Sequence, residues 1–282
     1  YFFVVNNKTS LKYLVKKTVK FFVDYYTVYL IVLVSAILFC GYELTFTDFI
    51  NDIYPVYAVL MKFAWYVPFY VEALFLLYML KCDVSKYGNK KSFYGLLIAY
   101  MILELIVHYF KSIGYKGTFL VGCLNDLKLA LPFMVMGFYF AYYDVFQRSM
   151  RFLNNRYGIS KVKAVVVLMV VTVISVFNYK ILGVQSGIIY TPIYIACIAY
   201  LDLGRYAWLE KISAFISKHS ANIWFVHCAF FNEVMREVFQ PIAFWPGNPI
   251  LVLIWIIIIC SMFSMLIMPV QNFIKEKAMA WL

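Results

Sequence analysis

Apolar stretches long enough to cross a bilayer recur along the whole chain, separated by short polar segments. A run of about 20 apolar residues matches the thickness of a membrane's hydrocarbon core. The pattern predicts eight spans, at Tyr25–Gly41, Trp65–Leu80, Tyr94–Phe110, Leu129–Phe146, Ala164–Tyr179, Ile188–Leu203, Ala221–Val238 and Ile250–Val270. The predicted fold is therefore an all-α, polytopic bundle of transmembrane helices.

Positive charge falls on every second loop of this pattern. Most of the 25 lysines and arginines lie before the first span or follow the second, fourth, sixth and eighth. Because cytoplasmic loops carry the excess of Lys and Arg, these segments are predicted to face the cytoplasm. The chain is thus expected to be a multi-pass protein of the cell membrane, with both of its ends inside.

Composition supports the same class. Hydrophobic residues make up 65% of the chain and charged residues 14%, whereas about a quarter of a soluble domain is charged. The net charge of +11 is dispersed over several loops, which argues against a nucleic-acid site and favours attraction to anionic lipid headgroups. The six cysteines show no metal-ligand or disulfide spacing, so packing is their expected role and no metal is predicted.

The organisation predicted is a single domain over residues 1–282, with two peripheral segments. In Leu11–Phe22 the lysines stack on one helical face and apolar residues occupy the other, which predicts a cytoplasmic amphipathic basic helix over 8–22, lying on the membrane. Residues 271–282 are predicted to form a cytoplasmic C-terminal tail. Because Tyr1–Val5 resembles the end of an apolar segment, we expect a piece of a longer protein that lacks its first helices.

Few ionisable groups are predicted at membrane depth, where each one requires a partner or a polar cavity. Glu104 and His108 share a face of the third span, as an interfacial ion pair or as part of a cavity. Glu72 in the second span either bonds a neighbouring helix or has a functional role. His227, in the middle of the seventh span, either bridges helices or handles protons. Asn222 is interpreted as a helix-packing residue.

The basic segment before the first span has two interpretations. Its lysines can anchor the chain to lipid headgroups. Alternatively, Lys16, Lys17 and Lys20 bind the phosphates of an anionic cytoplasmic ligand as point charges. The sequence contains no motif of a soluble nucleotide-binding, hydrolytic or metalloprotease enzyme.

Four segments carry a resemblance to a known family. Tyr13–Tyr26 (YLVKKTVKFFVDYY) has lysines, Lys17 and Lys20, where the family has two arginines three residues apart. Trp65–Leu80 (WYVPFYVEALFLLYML) is similar to its Trp-aromatic entry into a span. Ser217–His227 (SKHSANIWFVH) is similar to a late element of the family: Ser220 and His227 match, Ser217 replaces a Gly and Trp224 replaces a Tyr. Leu131–Tyr143 (LPFMVMGFYFAYY) is similar to a helix with Phe and Gly. The chain resembles the integral-membrane acyltransferase-3 family, which includes O-acetyltransferases of bacterial surface carbohydrates.

The resemblance implies an acyltransferase of the bacterial cytoplasmic membrane with ten spans when complete. It would move an acetyl or other short acyl group from acyl-CoA to a carbohydrate hydroxyl, with membrane lipids around it. The principal catalytic histidine is expected before residue 1. Lys16, Lys17 and Lys20 are the candidate CoA-binding residues; His227, Glu72, Glu104 and His108 are the supporting catalytic candidates.

Two other functions remain open at this point. Polar groups and prolines within spans also fit a transporter or exporter of a glycan or lipid-linked sugar. The chain could also be a non-catalytic relative that senses or scaffolds at the membrane.

Overall fold

The computed structural model describes residues 10–55, 58–62, 64, 66–87, 89–114, 119–145, 147–149, 151–152, 161–182, 187–201 and 206–281. In these ranges the regular structure is entirely helical, which confirms the all-α prediction. The helices are α1 (Leu11–Cys40), α2 (Phe46–Ile53), α3 (Tyr66–Tyr87), α4 (Asn89–Ser112), α5 (Phe119–Tyr142), α6 (Lys161–Leu182), α7 (Gly187–Leu201), α8 (Ala207–Phe230), α9 (Arg236–Ala243) and α10 (Pro249–Ala280). Trp65 and residues 153–160 and 202–205, which include Arg156 and Arg205, lie outside the described residues.

Five stretches of helix among the described residues are long and apolar enough to cross a membrane. They are Leu11–Cys40, Phe93–Ser112, Val121–Tyr142, Lys161–Asn178 and Pro249–Ala280. The protein is therefore an all-α membrane protein, but the count of eight spans is not confirmed. Charged residues interrupt α3, polar residues lower the mean hydropathy of α8, and α7 has only 15 residues.

The basic segment and the first span form one continuous helix, α1. The hydroxyl of Ser10 accepts a hydrogen bond from the backbone N–H of Tyr13 at 3.3 Å and caps the start. Gly41, with a φ of +61°, ends the helix 30 residues later. Because no breaking or capping residue intervenes, the basic turns extend the axis of the span and do not form a separate surface helix. Likewise, the predicted tail from residue 271 continues α10 to Ala280.

The described chain divides into two compact units. The larger comprises Lys8–Leu131 and Ile216–Leu282, and its core contains Tyr25, Phe225, Phe230, Leu60 and Met61, each at most 2% exposed. The smaller is formed by Pro132–Phe215, in which α6 and α7 pack together. There the Tyr194 hydroxyl donates to the Thr172 hydroxyl at 2.9 Å. The candidate site described below lies in the larger unit.

The segment between α1 and α3 folds back along α1. The hydroxyls of Tyr25 and Tyr26 donate to the backbone carbonyls of Asp52 and Ile53, the latter at 2.8 Å. Tyr26 precedes the end of α1 by 14 residues, or about 21 Å of helix at 1.5 Å per residue. The fully buried Asp52 carboxylate then accepts hydrogen bonds from the N–H groups of Val59 and Leu60, at 2.9 and 3.4 Å. Hydrogen bonds within the protein thus hold this irregular segment against α1.

As a result, α3 begins beside the basic half of α1. The Phe21 ring lies 4.4 Å from the Tyr70 ring and 6.1 Å from the Tyr66 ring, centroid to centroid. The alternation of positive charge predicted that the second span starts on the outer side of the membrane, opposite the lysines of α1. That placement is wrong relative to α1, because the fold-back carries the chain to the level of Phe21 before α3 starts.

The buried Asp52 should make stability depend on pH. Burial raises the pKa of its carboxyl to about 6, against the opposing effect of backbone N–H groups. The folded state then holds a proton that the unfolded state has lost between about pH 4 and pH 6, so stability should fall as pH rises through this window. Thermal unfolding in detergent from pH 4 to pH 7 should show this fall in the parent and in Glu43→Gln, an exposed control, and a smaller fall in Asp52→Asn. A flat parent profile would contradict the assignment.

Candidate ligand-binding cavity

A cavity of about 700 Å³ lies between α1, α3, α8 and α10 in the larger unit. Its size falls within the range of about 300 to 1,000 Å³ that is typical of small-molecule sites. The described residues that line it are Lys17, Lys20, Phe21, Asp24, Tyr66, Tyr70, Ser217, Lys218, Ser220, Ala221, Trp224, Phe225 and Lys275. These residues come from three of the four family-like segments and from α10.

Helical spacing explains which residues meet in the cavity. On α1 the lining residues occupy positions 17, 20, 21 and 24, and on α8 Ser217, Ser220, Ala221 and Trp224 repeat the same interval pattern. Residues three, four and seven apart share one face of a helix. Each helix therefore presents a single continuous face to the cavity.

The charge of the described lining is strongly positive. Four lysines, Lys17, Lys20, Lys218 and Lys275, face one carboxylate, that of Asp24. Lys275 forms an ion pair with Asp24, and the two side chains are 20% and 15% exposed. Lys17, Lys20 and Lys218 are exposed. This arrangement attracts an anion that carries several charges.

Aromatic side chains form the apolar part of the lining. Phe21 packs against Tyr70, and its ring centroid lies 5.4 Å from that of Phe225. The rings of Tyr66 and Trp224 are 6.1 Å apart. The cavity thus combines ammonium groups with flat aromatic faces, which suits a ligand that contains both phosphates and a planar or apolar group.

A buried polar contact fixes the helices next to the cavity. The side-chain amides of Asn222 and Gln271 exchange two hydrogen bonds of 2.7 Å. Gln271 also donates to the backbone carbonyl of Asp24 at 3.2 Å. These bonds join α1, α8 and α10, and they confirm the helix-packing role predicted for Asn222. His219, which the sequence analysis did not single out, is buried nearby, with Nδ1 2.8 Å from the Ser264 hydroxyl.

Two of the three lysines predicted to bind phosphate line the cavity. Lys17 and Lys20 do so, and Lys16 is not among the lining residues. Lys16 lies one turn before Lys20 but about 100° around the helix axis from Lys17, at the edge of the face that lines the cavity. The pair that matches the family's basic positions is thus the pair in the cavity.

His227 lies one helical turn beyond the cavity. Its Nδ1 contacts the backbone carbonyl of Trp224, and its ring centroid is 4.9 Å from that of the Trp224 side chain. Because a carbonyl oxygen only accepts, Nδ1 carries the proton in this contact and Nε2 of the neutral ring keeps its lone pair. The histidine therefore contacts a residue of the cavity lining, while it is not itself a lining residue.

The three other candidates lie apart from the described lining. The Tyr54 hydroxyl donates to Glu72 at 3.4 Å. Glu104 pairs with Lys128 at 3.0 Å and not with His108, which is exposed. Lys128 lies on α5. The ion pair predicted between Glu104 and His108 within the third span is therefore replaced by one between α4 and α5.

Several lining residues were not predicted as site residues, although three of them belong to a segment that carries the family resemblance. Ser217, Ser220 and Trp224 repeat at helical intervals, and this pattern could have indicated a common face. No comparable signal links Asp24 to Lys275, which are separated by most of the chain.

Comparison of the chain with protein-family models, with curated protein sequences and with solved structures finds no match. The cavity, and the three segments that meet in it, are therefore the observations on which a function can be proposed.

Proposed function

We propose that the chain is part of a membrane O-acyltransferase. It moves an acetyl or other short acyl group from acyl-CoA to a hydroxyl of a cell-surface or exported carbohydrate. The supporting observation is that three segments similar to the acyltransferase-3 family, far apart in sequence, line one cavity rich in lysine and aromatic side chains.

The lining matches the chemistry of CoA. Its diphosphate and its ribose phosphate require several cations, which Lys17, Lys20 and Lys218 supply as point charges. Its adenine requires a flat apolar surface, which Tyr66, Tyr70 and Trp224 supply. A lysine binds phosphate as a point charge, without the two parallel hydrogen bonds that an arginine donates. Three lysines around one cavity compensate for this weaker directional preference by contacting the phosphates from several sides.

The reaction requires a base and an oriented thioester. The acceptor oxygen attacks the thioester carbonyl carbon, the C–S bond breaks, and CoA leaves as a thiolate that takes up the hydroxyl proton by way of the base. By resemblance, the main base is a histidine of the family's first helix. His227 supports the reaction by holding Trp224 and by offering the Nε2 lone pair, and the activated thioester removes the need for a metal.

Transfer of label tests this proposal. Membranes containing the full-length protein are incubated with acyl-labelled CoA and extracted surface polysaccharide, and label on the sugar is counted. We expect transfer by the parent and by Lys161→Ala, a lysine outside the cavity, and at least a tenfold lower rate for His227→Ala. Absence of label with the parent, together with passage of unmodified glycan across vesicles, would favour a transporter.

A further inference from the structure

Asp24 is the exception in a lining that otherwise favours anions. It is the one carboxylate among the described residues that line the cavity, and it lies one turn beyond Lys20 on the same face of α1. Its carboxylate contacts Nζ of Lys275. A carboxylate oxygen at this position stands where an oxygen of a bound phosphate would meet the same ammonium group.

A second contact holds the same two helices together beside the ion pair. Gln271, one turn before Lys275 on α10, already bonds the backbone carbonyl of Asp24, and it is fully buried in its pairing with Asn222. The side chains of Asp24 and Lys275, in contrast, keep access to the cavity. The two side chains are only 20% and 15% exposed, and a buried charge that loses its partner is costly, so Lys275 can leave Asp24 only when a ligand oxygen takes the place of the carboxylate.

We propose that Asp24 is an internal competitor for the ligand. Its carboxylate holds Lys275 in the absence of ligand and yields it to a phosphate oxygen when a polyanion binds. Lys275 is thus a fourth phosphate-binding lysine, kept in place by Asp24. The inference depends on the proposed function only in that the cavity receives a phosphate-bearing ligand.

A double-mutant cycle tests the competition. Binding of inorganic pyrophosphate and of CoA to the detergent-solubilised protein is measured by calorimetry for the parent, Asp24→Asn, Lys275→Gln and the double variant. We expect Asp24→Asn to bind both probes about tenfold more tightly than the parent. The same change in the Lys275→Gln background should gain threefold or less, because no ammonium group is released there. Glu276→Gln, which neutralises an exposed carboxylate beside Lys275, should stay within twofold of the parent.

Two results distinguish competition from the other roles of Asp24: the direction of the affinity change in Asp24→Asn, and its dependence on Lys275. Equal gains in both backgrounds would mean that Asp24 acts only through its field, and they would overturn the proposal. Weaker or unchanged binding in Asp24→Asn would assign the pair a structural role and overturn it as well. Where Asp24→Asn is not recovered folded, Asp24→Ser replaces it in the cycle. If Asp24→Asn binds pyrophosphate more tightly but the parent transfers no acyl group, the competition is upheld and the acyltransferase proposal is rejected. If the parent transfers the acyl group but Asp24→Asn does not bind pyrophosphate more tightly, the acyltransferase proposal is upheld and the competition is rejected.

Discussion

Replacing Lys17 and Lys20 together by glutamate should lower the affinity for CoA by at least about 100-fold. Each phosphate contact with a charged group contributes about 1.5 to 3 kcal/mol, and the loss of two such contacts corresponds to about 10² to 10⁴ in the dissociation constant. The reversed charges also repel the phosphates from the same face of α1. Calorimetry with CoA at fixed ionic strength measures the effect.

The matched control is the double change Lys12→Glu and Lys16→Glu. It alters the net charge of the same helix by the same amount, but neither residue lines the cavity. We expect less than a tenfold loss, and that loss should shrink as salt is added, because distant charges are screened. If both double variants lost affinity equally, the lysines would be better explained as headgroup anchors.

The Asn232→Asp change should destabilise the protein by about 4 kcal/mol, since each buried polar group left without a partner costs about 1 to 3 kcal/mol. Asn232 is 2% exposed and donates from Nδ2 to the carbonyls of Val59 and Leu60, at 2.9 and 2.6 Å. Its Oδ1 accepts from the backbone N–H of Val234. A carboxylate of the same shape keeps the accepted bond but turns an oxygen towards both carbonyls.

Thermal unfolding in detergent measures this destabilisation, and CoA binding should weaken as well because the fold-back positions Tyr66 and Tyr70. Glu233→Gln is the neighbouring control. Glu233 pairs with Lys62 at 3.0 Å, but the two side chains are 82% and 57% exposed, so at most about 1 kcal/mol should be lost. Equal stability of the two variants would show that Asn232 does not fix the fold-back.

Hydrophobic periodicity was sufficient to predict the helical class and the membrane environment, because both follow from local composition. It could not predict the fold-back after α1. That path is held by the hydroxyl groups of Tyr25 and Tyr26, which donate to backbone carbonyls 27 residues away. Every residue has a backbone carbonyl, so the residue types do not show which of them will accept such a bond. The extent of α1 was missed for a related reason, since a change from basic to apolar residues does not by itself end a helix.

The site was predictable where a motif marks it. Lys17 and Lys20 were identified by their spacing and by resemblance, and both line the cavity. The pairing of Asp24 with Lys275 and that of Glu104 with Lys128 join different helices, so they depend on which helices are neighbours. A single sequence does not encode this adjacency in any local pattern.

The fold-back joins the aromatic wall of the cavity to a nearby, water-exposed ion pair. Only four positions of the chain separate Lys62, in its exposed pair with Glu233, from Tyr66 in the aromatic wall. Because this pair is exposed and contributes little, the start of α3 is positioned mainly by the buried bonds that Asn232 donates to the carbonyls of Val59 and Leu60.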